Sequence, residues 1–477
     1  MNTRSDYDVA IIGAGLSGLA AGIRLAHFGR RVCIFERHNA PGGLNSFYSL
    51  AGRKYDVGLH AVTNFVRPGT KGTPLAKVLR QLRIDRDEFD LCEQKRSRIA
   101  FGPAGETALH FTNDFAFFES EIARVFPAQA AGFRALTDLV RTTPFGAPTP
   151  LSRPILRQHL SEPLLVEMLL CPILFYGGAQ AHDLEFSQFA MLFDAIFREG
   201  LSRPFAGIRT ILHVLLDKYR QAGGERRMKC GVKQIVEQAG RAAALVLDDG
   251  TEITATQVIS SIGAPETAAL VAAAAPPEIG GGPGRISFVE TMSIFDRQPA
   301  ALGWGEDTIV FFNDSPQFAY DRPAGPVDVR SGVICFPNNF EFGGGRQLAE
   351  GIFRATCLAN YDAWTGQPEA AYRASKQQWF EQVQTSARRF LPPVADSALA
   401  AATVSTDMFT PRTIERFTGH RNGTIYGSPA KVHSGATGLA NLYLCGTDQG
   451  LLGIVGSMLS GIMMANQHVL RKTDPGP

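Results

Sequence analysis

The sequence predicts an α/β protein: a Rossmann-like dinucleotide-binding domain, discontinuous along the chain, with an inserted α+β domain. Three observations predict it. A strand, glycine turn, helix and second strand ending on an acid open the chain. A strand feeding a glycine-rich helix start closes it, and an alternating apolar pattern around an Asp-Gly turn lies between. At 477 residues the chain is too long for one simple core and implies about two or three domains.

Tyr7–Ile12 reads as a short buried strand, followed at once by Gly13-Ala14-Gly15-Leu16-Ser17-Gly18. Leu16 to Phe28 reads as a helix with Leu16, Leu19, Ala20, Ile23 and Ala26 on one face, stopped by Gly29. Val32–Phe35 is a second strand, ending at Glu36. Each part has a physical job. Gly13 permits the tight turn, Gly15 lets a pyrophosphate approach the backbone, and Gly18 lets helix and strand pack closely. The helix start offers free N–H groups and partial positive charge to the phosphates. Glu36 stands 21 residues past Gly15, where an acid accepts hydrogen bonds from ribose hydroxyls and repels a 2′-phosphate. A glycine-rich turn alone is weak; with both strands, the helix and the acid in place it is specific. Pro41-Gly42-Gly43-Leu44 comes next, then Gly58-Leu59-His60 after a strand-like Lys54–Val57. The second glycine pair puts more N–H groups near the pyrophosphate.

In the middle, Gly223-Gly224-Glu225 precedes Val232 to Val236, Leu245–Leu247, Asp248-Asp249-Gly250-Thr251 and Gln257 to Ser261. By itself this pattern is a β-meander. At the end, Asn441–Cys445 is a short apolar strand, closed by Gly446-Thr447-Asp448; Gly450, Gly453 and Gly456 lead into an apolar helix from Ile454 to Leu470. A strand feeding such a helix start is a second anion site. An ordinary buried helix with glycines for close packing fits the same residues.

The three pieces, in this order, resemble the FAD-dependent family of phytoene desaturases, carotenoid isomerases and retinol saturases (the GR2 fold type), within the larger group that includes amine oxidases. The resemblance implies FAD as cofactor. It implies contacts from Gly13, Ala14, Gly15, Leu16, Ser17, Gly18, Glu36, Arg37, Gly42, Gly43, Leu44, His60, Val232, Gly446, Asp448, Gly453, Ile454 and Val455. In that family the backbone near Val232 meets adenine, Asp448 holds the ribityl–phosphate region, and the last helix faces the flavin pyrimidine edge. A helix dipole there favours hydride acceptance. Many members carry Arg or Lys after the double glycine, where this chain has Leu44. The flavin domain is expected from residues 1–65, 204–265 and 403–477, and the substrate domain from 66–203 and 266–402.

Residues 156–220 read as amphipathic helices with Leu164, Leu165, Met168, Leu169, Phe186, Phe189, Ala190, Phe193, Ile196 and Phe197 as their stripe. Such stripes usually mean core. The alternative is a tunnel mouth or a surface dipping into one leaflet, with Arg198, Arg203 and Arg209 meeting lipid phosphates. The excess of Phe over Tyr, 32 against 10, suits either. Where the family often has a glycine pair before a helix, this chain has only Gly207.

No serine–histidine elbow, HExxH or paired carboxylates are found, and a flavin carries the hard chemistry itself. His60 and Tyr426 are the catalytic candidates. The resemblance implies a long apolar isoprenoid substrate, desaturated by hydride transfer to flavin N5, with a quinone or oxygen as electron acceptor. A saturase or isomerase of the same substrates is a close alternative. An amine oxidase needs an aromatic cage, for which three Trp and few Tyr give little material. A non-enzymatic prenyl-binding role is opposed by the intact glycine motif with Glu36 and Asp448. A dry, elongated cavity is expected from residues 160–210 and 310–340, with His60 and Tyr426 at its flavin end.

A net charge of +2 without a basic run argues against a nucleic-acid partner. The seven cysteines form no CxxC pair, which argues against a zinc site and suits reduced thiols in a cytosolic setting. Strand-like sequence begins by Tyr7, leaving no room for a signal peptide, and no run of eighteen apolar residues exists. The expectation is a cytoplasmic protein, peripheral on the cytoplasmic face of the membrane.

Overall fold

The computed structural model describes residues 6–272 and 279–471; residues 1–5, 273–278 and 472–477, which the expected domain ranges include, lie outside the described residues. Strand Tyr7–Ile12 carries Val9 to Ile12 fully buried, as a parallel sheet covered on both faces requires. It pairs in parallel with Val32–Glu36 on one side and Ala255–Ser260 on the other. Leu442–Leu444 and Glu225–Met228 form the edges of this five-stranded parallel sheet. One sheet thus draws on the start, middle and end of the chain.

Helices Leu16–Ala26, Ile208–Gln221 and Gly453–Met464 cover one face, burying Leu19, Ile23, Ile211, Leu215, Met458 and Ile462 with Val9, Ile11 and Ile34. The antiparallel meander of Val232–Gln238, Arg241–Leu247 and Glu252–Ile253 covers the other, against Ala10, Ile12, Cys33 and Phe35.

A seven-stranded mixed sheet builds the second half. Its order is Thr403–Phe409, Ser287–Phe295, Gly351–Ala359, Val327–Cys335, Ile309–Asn313, Ser97–Phe101 and Thr107–Phe111. Helices Phe115–Val125, Ala130–Thr142, Pro163–Gly177 and Phe186–Phe193 pack on one face. Their Phe side chains interlock: Phe118 and Phe197 stack at 4.6 Å, and Phe111 meets Phe197 edge-on at 5.1 Å. The apolar stripe from Leu165 to Phe197 is therefore core, with only Leu164 half-buried. Arg203 corrects the lipid-phosphate expectation, because it is buried and paired with Asp56. Arg198 pairs with Asp194 and lies over the Phe115 ring, and Arg209 lies over Phe47.

Two domain bounds shift. Helix Pro74–Leu82 buries Leu75, Val78, Leu79 and Leu82 in the core of the nucleotide domain, so that core keeps the chain through Phe89 and not only to residue 65. Strand Thr403–Phe409 pairs with Ser287–Phe295, so the chain returns to the nucleotide domain after it. An apolar stripe announces that a helix packs, without saying against what.

Candidate functional site

A cavity of about 920 Å³ is lined by both halves of the molecule. Its nucleotide end is shaped by glycines. Gly13 has φ +96° and sits against Ser261 and Ile262, while a Cβ on Gly18 would lie 2.2 Å from the Gly13 carbonyl oxygen. Gly15 differs. It stands at the uncapped start of helix Leu16–Ala26, and a Cβ there would meet no protein atom within 4 Å, because the space over it belongs to the cavity. That open cradle before free N–H groups suits a phosphate.

Glu36 accepts hydrogen bonds from the backbone N–H of Ala14 and of His38, each at 2.8 Å, and keeps acceptor capacity on the cavity wall for ribose hydroxyls. The Gly42 N–H donates to the Ala14 carbonyl at 2.9 Å, tying the second glycine loop to the first. Arg37 donates to the Val232 carbonyl at 2.8 Å and pairs with Asp248. Gly453 and Ile454, at the second uncapped helix start, also line the cavity. The open cradle, two free helix starts and an acid at the ribose distance fit FAD.

Of the expected cofactor residues, Gly13, Gly15, Glu36, Arg37, Gly43, Leu44, His60, Val232, Gly453 and Ile454 line this cavity. Ala14, Leu16, Ser17, Gly18, Gly42, Gly446 and Val455 lie behind its wall: Ala14 gives its N–H to Glu36, the Gly446 N–H donates to Ser460 Oγ at 2.7 Å, and Val455 is core. Asp448 needs the larger correction. It is buried, its Oδ2 accepts from the Ala264 N–H at 2.6 Å and its Oδ1 from the Ser428 N–H at 2.8 Å, with Lys431 Nζ 3.6 Å away. Asp448 staples two loops, and Thr447 is the residue that reaches the wall. Burial pushes the Lys431 ammonium down to about 8, against the pull of Asp448.

Replacing Glu36 by Ala is expected to weaken FAD binding by about 1.5–3 kcal/mol, the worth of a charge-assisted hydrogen bond. Titration of apoprotein with FAD checks this, and unchanged affinity would remove the ribose contact.

The other end is apolar with a charged floor. His60 Nε2 lies 3.1 Å from Glu290 Oε1 and 3.0 Å from Thr356 Oγ1. Arg354 Nε donates to Glu290 Oε1 at 2.5 Å, and its Nη1 donates to the Leu59 carbonyl. Arg203 donates to the same carbonyl at 3.0 Å and pairs with Asp56. The Asp56 carboxylate lies where a side chain on Gly207 would sit, which gives that single glycine its purpose. Burial raises the Glu290 carboxyl, but Arg354 and His60 outweigh it and hold it at about 2. Two carboxylates and two guanidiniums cancel.

Glu290, Arg354, Thr356, Asp56 and Arg203 were not among the expected site residues. A signal existed: Glu290 is the single charged residue of strand Ser287–Phe295 and Arg354 that of strand Gly351–Ala359, and buried charges need partners. Neighbouring strands in the sheet bring them together.

Tyr426 lines the apolar end; its hydroxyl donates to the Phe175 carbonyl, and its own carbonyl accepts from Lys431 Nζ at 2.6 Å. From the expected segments 160–210 and 310–340 only Phe175, Tyr176, Met191, Leu192, Ala195 and Val333 take part. Phe288, Glu290, Thr356, Ile425, Leu451 and Leu452 supply other parts of the wall.

The sequence pattern of the family described as flavin containing amine oxidoreductase matches residues 16–467. The chain is 26% identical to the phytoene desaturase (neurosporene-forming) of Rhodobacter capsulatus, over 56% of this chain and 54% of that one, so it spans about half the length of that relative. It is 23% identical to prolycopene isomerase 2 of an Oncidium hybrid cultivar, over 97% of this chain and 84% of that one. The solved structure of an oxidoreductase from Methanosarcina mazei shares the fold at 16% identity, with a TM-score of 0.66, covering 96% of this chain and 100% of that one.

Proposed function

We propose, since this chain belongs to the flavin containing amine oxidoreductase family and is an FAD-dependent oxidoreductase, that its substrate is an uncharged apolar isoprenoid, handled by hydride transfer and foremost by desaturation. The observation that carries this reading is the apolar end of the cavity, whose floor charges are balanced among themselves. An amine substrate would be favoured by a spare anion, and Glu290 is already held by Arg354. FAD supplies a hydride acceptor or donor at N5.

The chain's residues do the rest. Glu36 and the two helix starts hold the dinucleotide, and Phe175, Phe288, Ile425 and Leu452 exclude water from the reacting carbon. With His60 Nε2 engaged by Glu290 and Thr356, Nδ1 is the atom assigned to take the proton from the neighbouring carbon. His60→Gln is expected to lower turnover by about 10²–10⁴-fold, the usual worth of general acid–base catalysis, with flavin content unchanged. Equal turnover would take His60 out of the reaction.

Anaerobic mixing with a polyene precursor tests the direction. Bleaching of the flavin supports desaturation; turnover only after chemical reduction of the flavin supports the saturase or isomerase alternative. A lipid-dissolved substrate goes with peripheral attachment to the cytoplasmic membrane face and with a quinone or oxygen as acceptor. Among the described residues no helix is long and apolar enough to cross a membrane.

A further inference from the structure

We infer that Arg416 and Arg421 supply the positive charge for the FAD pyrophosphate, so that the loop from Pro411 to Gly423 completes the cofactor cradle. The inference concerns the cofactor alone and holds whichever substrate the apolar end receives.

A dinucleotide brings a dianionic pyrophosphate into a cavity that already carries carboxylates. Glu36 and Glu266 both line it; each accepts a backbone N–H, and neither pairs with a Lys or Arg side chain among the described residues. Leu44, after the second glycine pair, brings no cation. The free N–H groups of a helix start carry only partial charge. The Lys and Arg side chains on the wall are Arg37, Lys376, Arg416 and Arg421. Arg37 is taken by Asp248 and Lys376 by Asp407. Arg416 and Arg421 pair with no carboxylate among the described residues. Acids stand near them but are engaged elsewhere: Glu415 accepts from the Tyr361 hydroxyl, and Glu266 takes the Arg421 backbone N–H at 2.8 Å. The Arg416 guanidinium lies over the Phe417 ring, 5.4 Å from its centroid. A guanidinium fork matches the spacing of phosphate oxygens.

Three contacts place this loop beside the cradle. A Cβ on Gly43 would lie 3.9 Å from Gly15 Cα, and helix Pro411–Thr418 lies against the turn Gly43–Asn45. Phe417, half-exposed, meets His38 edge-on at 5.3 Å, and the His38 N–H donates to Glu36, the ribose acid. Arg421 is tied by its N–H to Glu266, on the helix Ala264–Leu270; just before that helix, Ser261 Oγ donates to the Gly13 carbonyl at 3.0 Å. The loop is also held in shape. Gly419 ends the helix at φ +76°, which turns the chain between Arg416 and Arg421. Gly423 lies so close to the Pro411 carbonyl that a Cβ has no room, so the two ends of the loop touch.

The test dilutes the FAD-loaded enzyme at low and at high salt and reads released FAD by its fluorescence, which gives a dissociation constant without turnover. Arg416→Gln and Arg421→Gln should each weaken FAD binding about ten-fold at low salt, and the double variant should weaken it further, because each removes a charge-assisted contact. The gap from the parent should shrink as salt rises. Arg416→Lys and Arg421→Lys should keep part of the affinity, since the charge remains and only the fork is lost; they also keep the test open if the glutamine variants lose FAD outright. Urea midpoints of the FAD-free chains should match the parent, since both side chains are exposed. Parent affinity in the double glutamine variant at both salt concentrations overturns the inference. So does a loss that is equal at low and high salt and is not relieved by lysine, which would assign it to packing.

Discussion

Gly15→Val is expected to give a folded but colourless protein. Gly15 has φ −68° and ψ 173°, extended backbone in which valine is at ease. A Cβ there touches no protein atom within 4 Å, so the side chain leaves the backbone into open space. The isopropyl group instead fills the cradle before helix Leu16–Ala26, where the pyrophosphate belongs. Losing two charge-assisted hydrogen bonds at about 1.5–3 kcal/mol each weakens FAD binding by roughly two orders of magnitude or more. Gly13 and Gly18 make poorer tests, because a Cβ there lies 2.7 Å from Ser261 Oγ or 2.2 Å from a carbonyl oxygen and damages the fold itself. The measurement is flavin absorbance per chain beside the urea midpoint. A variant that stays yellow at unchanged affinity would put the pyrophosphate elsewhere.

Arg354→Leu is expected to destabilise the protein by about 3–5 kcal/mol, since it leaves Glu290 buried without its main counter-charge. The pH dependence separates this from lost packing. In the parent, the Glu290 carboxyl falls from 4.5 to about 2 on folding. That depression contributes about 3 kcal/mol of stability, fully present above 4.5 and lost as pH falls from 4.5 toward 2. Without Arg354, burial favours the neutral acid, so the stability gap between variant and parent should narrow from neutral pH to pH 4. Urea unfolding at both pH values checks it, and a gap that does not change with pH would assign the loss to packing alone. Glu290→Gln with Arg354→Leu should recover part of the loss, because no unpaired charge remains.

What the sequence made legible was local. Strand, turn, helix and acid of the first unit are set within thirty residues, and glycine sterics dictate them regardless of the rest. Asp448 shows the limit. Its spacing after Leu442–Leu444 was readable, but its orientation is decided by the N–H groups of Ala264 and Ser428, one of them 184 residues away. Glu290 and Arg354, 64 residues apart, meet only because their strands are neighbours in a sheet whose order no local pattern encodes. The Phe stripe could be read as core or tunnel, and ring-on-ring packing made it core. The helix Pro74–Leu82 displayed its apolar face plainly but not its partner.

The sheet that gathers strands from the start, middle and end of the chain also sets a clock on synthesis. Strand Tyr7–Ile12 leaves the ribosome first, yet its neighbour Ala255–Ser260 and the covering helix Gly453–Met464 come hundreds of residues later. At about 5–20 residues per second, the nascent nucleotide domain waits roughly half a minute to a minute and a half with Val9, Ile11 and Ile34 without their last cover. Exposed apolar surface and unpaired strand edges of that kind favour aggregation and chaperone capture, and truncation before Leu442 removes the strand that pairs with Ala255–Ser260 and leaves its edge open.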